Sequence, residues 1–174
     1  VIEYIVIDGD SEDKTKNLLD NNSDIIDKSI SEKDRGIYDA MNKGLKLASG
    51  RYVMFLNSGD ELRGVNRVIS DIDNIDLMKC PTLLYGSEFS WSDSLTKVIF
   101  PKFRFCQMPT SHQAMIFNTN KARFYNYNIK YKFSADYELY LKIFKEAQCG
   151  VLVSNKVIVK TAPVGFTKTA ITKY

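Results

Sequence analysis

Three short runs rich in β-branched and aromatic residues, at 3–8 (EYIVID), 25–30 and 51–56 (RYVMFL), fall within the first third of this 174-residue chain. Each reads as a strand that buries apolar side chains. Between the first two, Asp10 or Ser11 is placed to cap a helix that runs to about residue 21. Between the second and third, residues 36–49 carry Ile37, Ala40, Met41, Leu45 and Ala48 at helical spacing, and Gly50 stands where helices commonly end. Strand, helix, strand, helix, strand is the order of a doubly wound α/β sheet, mostly parallel, with helices on its faces.

The rest of the chain continues this mixture. Residues 65–75 read as a helix. Residues 83–91 and 95–100 read as two strands of a hairpin joined through Ser92-Asp93-Ser94. A strand is expected at 113–117 and another at 151–159. Between them, 134–148 reads as a helix capped by Ser134 and ended by Gly150, with Tyr137, Leu141 and Phe144 on one face. There is no linker, repeat or low-complexity stretch, so residues 1–174 are expected to form one domain. The most apolar run, residues 53–56, is far too short to span a bilayer. No basic stretch leads into an apolar one near the N-terminus, so no signal peptide is expected. Cys80, Cys106 and Cys149 are odd in number and lack metal-ligand spacing, which suits free thiols in a reducing cytoplasm and argues against zinc.

Charge divides the chain. Residues 1–93 hold 11 Lys/Arg against 18 Asp/Glu, and residues 94–174 hold 13 against 3. A basic half is either a solvated positive face or a surface for an anionic partner, such as phosphate or anionic lipid. Residues 121–133 (KARFYNYNIKYKF) interleave four bases with five aromatics. That composition fits a loop over the sheet, a membrane-surface or lipid-linked acceptor site, or a stacking platform for nucleic acid.

Ligands of open α/β sheets sit beyond the carboxyl ends of the strands. Asp8 ends the first strand, Ser31 to Asp34 follow the second, and Asn57-Ser58-Gly59-Asp60 follows the third. Parallel neighbouring strands would bring all three to one rim. A nucleoside diphosphate leaving group needs its charge neutralised, and Mg²⁺ or Mn²⁺ held by one or two carboxylates plus phosphate oxygens does that. Asp60 is the candidate metal ligand, with Ser58 and Gly59 small enough for the backbone to approach a diphosphate. Arg35 and Lys43 either hold phosphate or pair locally with Asp34 and Asp39. The single histidine, His112, is either structural or a second metal or phosphate contact. Asp136 is the first carboxylate after 42 residues without one. Near a helix N-terminus it either complements the helix dipole or acts as a general base toward an acceptor hydroxyl. Glu138 points elsewhere around that helix and is the weaker candidate.

Five pieces, IDGDSEDKT at 7–15, SEKDRGIYDAMNKG at 31–44, FLNSGD at 55–60, HQ at 112–113 and SADYEL at 134–139, resemble in order the family 2 glycosyltransferases of the bacterial colanic-acid and O-antigen type. The resemblance implies a GT-A fold and inverting transfer of a sugar from a nucleotide-sugar donor to a glycan or polyprenyl-diphosphate-linked acceptor. It implies a nucleotide-binding part at 1–60 and an acceptor and catalytic-base part at 80–150. Asp8 would contact the nucleotide base, Asp34, Arg35, Asp39 and Asn57 would line the donor pocket, Asp60 would hold the metal and diphosphate, and Asp136 would be the base. The broader family writes its metal motif Asp-x-Asp, whereas Asn57 and Gly59 leave only Asp60 here. The resemblance also implies a strand and helix ahead of Glu3, so the chain is expected to be N-terminally incomplete and unstable or inactive alone. The alternatives are a nucleotidyltransferase of related architecture and a non-catalytic nucleotide-binding fragment. The expected setting is cytoplasmic, peripheral at the membrane, with no nucleic acid partner.

Overall fold

The computed structural model describes residues 2–74, 82–92, 95–103, 107–146 and 151–161. Their order is β1 (Ile5–Asp8), α1 (Thr15–Asn21), β2 (Lys28–Ser31), α2 (Ile37–Leu47), β3 (Tyr52–Met54), β4 (Glu61–Leu62), α3 (Val65–Asp73), β5 (Thr82–Ser92), β6 (Leu95–Ile99), a 3₁₀ turn (His112–Ala114), β7 (Met115–Asn118), α4 (Thr119–Tyr125), α5 (Ala135–Glu146) and β8 (Leu152–Thr161). The chain forms two compact units, one of Val1–Val53 with Phe117–Glu146, the other of Met54–Ile116 with Ala147–Tyr174. Among the described residues, no helix is long and apolar enough to cross a membrane. The three cysteines, residues 93–94 of the expected hairpin turn, Ile75 and Gly150 lie outside the described residues.

In the first unit β1 and β2 pair in parallel, with Asp8 opposite Ser31 at their carboxyl ends. The crossover between them differs from expectation at its start. Ser11 turns back to Asp8 instead of capping, Asp10 pairs with Lys16, and α1 begins only at Thr15, whose N–H and hydroxyl donate to Asp13. The second strand begins three residues later than the apolar run suggests. Ile25 and Ile26 donate their N–H groups to Asn22 and are spent in a turn.

Helix α2 follows the expected pattern and buries Met41, Gly44 and Leu45 on one stripe. Its end is not held by Gly50. Arg123 of α4 reaches the carbonyls of Leu45 and Ala48, and Lys28 reaches that of Leu47. Two cations at orphaned carbonyls satisfy both the hydrogen bonds and the dipole of the helix end. In α5 the buried residues are Ala135, Leu139, Tyr140 and Ile143, while Phe144 is exposed. The four-residue spacing of Ala135, Leu139 and Ile143 sets the inner face, one step away from the expected Tyr137, Leu141 and Phe144. The basic stretch from 121 is not all loop, since α4 occupies its first five residues.

Glu3 ties these pieces together. Its carboxylate accepts from Lys28 Nζ and from the Ser49 N–H and hydroxyl, and these bonds hold its pKa down at about 2 instead of the usual 4.5. A depressed folded-state pKa gives stability that is complete above about 4.5 and lost as pH falls toward about 2. Denaturant melts of Glu3→Gln are therefore expected to lose part of the acid-limb slope of the parent chain, and to match it in shape above pH 5.

The second unit is built on β5 and β8, which pair in parallel, with β6 antiparallel on β5 and β4 antiparallel on β8. Its strand order is β7-β5-β8-β4, with β6 also on β5. The sheet thus holds both parallel and antiparallel pairs. Leu83, Leu84, Tyr85, Ile158 and Val159 are its buried centre. Between Leu84 and Gly86 the partner on β8 advances from Val153 to Val157, so β8 bulges there. The two-residue β4 has too few residues to show any period, and its pairing with Val159 and Lys160 creates it.

Candidate functional site

Asp8 is the last residue of β1 and only 6% exposed. Its carboxylate accepts from the N–H and hydroxyl of Ser11 and from the hydroxyl of Ser31, 2.6 Å away. The Ser11 and then the Ser31 hydroxyl hold its pKa below the usual carboxylate range. Asp8 therefore stays charged and locks the β1–α1 loop to the end of β2. At the next residue a Cβ on Gly9 would stand 2.6 Å from Asp34 Oδ2, so a larger residue there would displace that carboxylate. Asp34 is thereby packed on the same strand end, its other oxygen accepting from the Gly36 N–H at 2.8 Å.

Asp39, in the first turn of α2, accepts from the Arg35 N–H at 3.0 Å and pairs with the Arg35 guanidinium at 3.1 Å. Arg35 lowers its pKa. A carboxylate in the first helical turn reaching back to an N–H ahead of the helix satisfies an orphaned donor. Lys43 donates to the carbonyl of Lys33 at 2.9 Å and pairs with Glu32 at 3.1 Å. Arg35 thus pairs locally with Asp39, one of the two partners expected, whereas the ion pair of Lys43 is with Glu32.

Asp136 is the second residue of α5. The Tyr38 hydroxyl of α2 donates to its Oδ1 at 3.3 Å, and the Tyr137 N–H donates to the same oxygen at 3.0 Å. Tyr38 stacks on Tyr127 with ring centroids 5.6 Å apart. Burial, and then the negative charge of Asp136, push the Tyr38 phenol up to about 12, and the same two causes raise Tyr127 well above its ordinary value. Both phenols are therefore neutral beside the carboxylate. One turn along α2, Asn42 forms a two-point clamp on the backbone of Tyr127, donating to its carbonyl and accepting from its N–H, both at 2.8 Å. Ser134, just before α5, sits at φ 67°, a left-handed conformation that few non-glycine residues adopt. Glu138 pairs with Lys142 at 2.9 Å. No motif in the sequence marks Tyr38, Asn42 and Tyr127 as site residues. The available signal was that Tyr38 and Asn42 are four apart on α2, next to the buried stripe of Met41 and Leu45.

In the second unit, the Asp60 N–H donates to the Asn57 carbonyl at 3.0 Å, and Gly59 has φ 87°. That is the left-handed third position of a type II turn, which favours glycine. Asp60 Oδ2 accepts from the Asn57 N–H at 3.2 Å and from the Gln113 side-chain amide at 2.9 Å. Gln113 belongs to the 3₁₀ turn that His112 opens, so the residue of that pair shown on Asp60 is Gln113. Among the described residues no three His, Cys, Asp or Glu side chains gather as a metal cage. A single oriented carboxylate fits Mg²⁺ or Mn²⁺ drawing its other oxygens from a diphosphate and water, and does not fit a metal held by protein alone. The site residues thus fall into two groups. Asp8, Asp34, Arg35, Asp39 and Asp136 lie in the first unit, and Asn57, Asp60 and His112 in the second.

Residues 1–158 match the family described as Glycosyl transferase family 2. A PGL/p-HBAD biosynthesis glycosyltransferase of Mycobacterium bovis (strain BCG / Pasteur 1173P2) is 26% identical over 157 residues, covering 82% of this chain and 58% of the relative. An uncharacterized glycosyltransferase of Mycobacterium tuberculosis (strain CDC 1551 / Oshkosh) is 31% identical over 148 residues, covering 81% of this chain and 56% of the relative. The chain therefore spans little more than half the length of the curated relatives it matches. Among solved structures, S. aureus TarS 1-349 in complex with UDP-GlcNAc superimposes with a TM-score of 0.74 at 17% identity, over 97% of this chain and 52% of that one. With the strand ends, the α2–α5 network and these likenesses together, the chain belongs to glycosyl transferase family 2 and has the GT-A fold.

Proposed function

We propose that this chain is a single glycosyltransferase domain that moves a sugar, with inversion, from a nucleotide-sugar donor to a glycan or lipid-linked acceptor in bacterial surface polysaccharide synthesis. The observation that carries the reading is the placement of Asp136. It lies at a helix start and accepts from the neutral Tyr38 phenol, which stacks on the Tyr127 that the Asn42 clamp holds. A general base needs that fixed geometry more than it needs any particular sequence around it.

In this reading an acceptor hydroxyl attacks the anomeric carbon of the donor while Asp136 takes its proton. The bond to the nucleoside diphosphate breaks and that group leaves. Asp8 orients the nucleotide base, and Asp34, Arg35, Asp39 and Asn57 shape the donor pocket. Asp60, steadied by Gln113, would hold Mg²⁺ or Mn²⁺, with His112 as a second contact. The metal, when bound, neutralises charge on the departing diphosphate. UDP-GlcNAc in the TarS structure makes a uridine-linked sugar the first donor to try. The names of the mycobacterial relatives favour glycosyl over nucleotidyl transfer. The reaction belongs, on this reading, in the cytoplasm at the inner face of the membrane.

Calorimetric titration with UDP, other nucleoside diphosphates and their sugar derivatives tests the donor class. Binding of at least one is expected, weakened when the divalent cation is chelated. A folded chain that binds none of them would overturn the reading.

A further inference from the structure

We propose that residues 129–133 dock this chain on an anionic bilayer surface. The segment reads Ile-Lys-Tyr-Lys-Phe, and all five residues are exposed. Ile129, Tyr131 and Phe133 are 39%, 48% and 40% accessible. Single exposed apolar residues are ordinary, but three in five consecutive positions, alternating with lysines, are not scatter. Lys132 Nζ stands 5.9 Å over the Phe133 ring, so base and aromatic act as one surface.

The backbone that presents them is already set. Asn128 starts a turn in which its side chain accepts from the Lys130 N–H and its carbonyl from the Tyr131 N–H, both at 3.1 Å. Docking would therefore order side chains and not a loop. Charge selects the occupant. The sequence holds no Asp or Glu between Asp93 and Asp136, and Lys130 and Lys132 supply positive charge at the apolar tips. Apolar tips seated among acyl chains with ammonium groups at the headgroups are how short interfacial segments hold an acidic membrane. Nucleic acid would be met by flat stacking faces along a groove, and Ile129 offers none.

The segment ends three residues before Asp136, so docking would bring the start of α5 to the headgroup plane, where a lipid-linked acceptor would present its hydroxyl. That last step rests on Asp136 being the base, whereas the docking does not.

The test is flotation of the folded chain with vesicles of phosphatidylcholine alone and of phosphatidylcholine with about 30% phosphatidylglycerol, at low and high salt. The chain is expected to float only with the anionic vesicles and to be released by salt. Lys130→Glu with Lys132→Glu, and separately Ile129→Ser with Tyr131→Ser and Phe133→Ser, should each weaken binding by about tenfold or more. Ile129 and Phe133 are 39% and 40% accessible, so a thermal scan checks that each variant still folds before its binding is compared. Failure of the parent chain to float, equal binding by the parent and by variants that melt normally, or retention by single-stranded nucleic acid in place of vesicles would each overturn the proposal. Nucleotide titration, run beside it, reports on the transferase reading independently.

Discussion

Asp136→Asn is expected to lower sugar transfer by about 10²- to 10⁴-fold, the usual contribution of a positioned general base. Donor binding should be unchanged. Asparagine keeps the shape and can still accept from the Tyr38 hydroxyl and the Tyr137 N–H, so the α2–α5 contact survives. What it removes is the ability to take a proton. The fall should therefore appear in kcat and not in donor affinity. A variant that turns over as fast as the parent would remove Asp136 from the mechanism while leaving the fold assignment intact.

Asn42→Ala carries the largest expected effect on stability. Tyr127 is only 3% exposed, and Asn42 supplies partners to both its N–H and its carbonyl. Truncation would take a partner from both of these part-buried backbone groups. At about 1–3 kcal/mol each, partly relieved by relaxation, the loss should be roughly 2–4 kcal/mol. Set against a typical net stability of about 5–15 kcal/mol, that is severe. Asn42→Asp keeps an acceptor for the Tyr127 N–H but loses the donor, so it should fall between parent and alanine. Urea melts of the three chains check the order. Equal midpoints for parent and Asn42→Ala would show that the clamp adds nothing to the unit.

The features legible in the sequence were those whose cause is local. Met41 and Leu45 announced α2 because helix burial follows a short period. Asp8 ended its strand as the apolar run implied, and parallel pairing joined it to Ser31, which lies within the second strand and not just beyond it. The features that escaped depend on distant partners. Tyr38 meets Asp136 across 98 positions, Asn42 meets Tyr127 across 85, and Gln113 meets Asp60 across 53. Arg123 ends a helix 75 residues upstream, where Gly50 offered the nearer explanation. No periodicity encodes such contacts, because they follow from where the fold carries each segment. For the same reason SEKDRGIYDAMNKG identified the family while its own task stayed hidden. Arg35, Asp39 and Lys43 hold the segment together, Tyr38 donates to the residue assigned the chemistry, and Asn42 holds the Tyr127 on which Tyr38 stacks.

The central claim is that this chain acts on nucleotide sugars. Its most direct test is to incubate the purified protein that carries this domain with a panel of nucleotide sugars, Mn²⁺ and candidate acceptors, and to measure nucleoside diphosphate release. The account predicts release from at least one donor, greatly reduced in Asp136→Asn and reduced in Asp60→Asn. A folded chain that releases nucleoside diphosphate from none of them, or whose release is untouched by both substitutions, would contradict it.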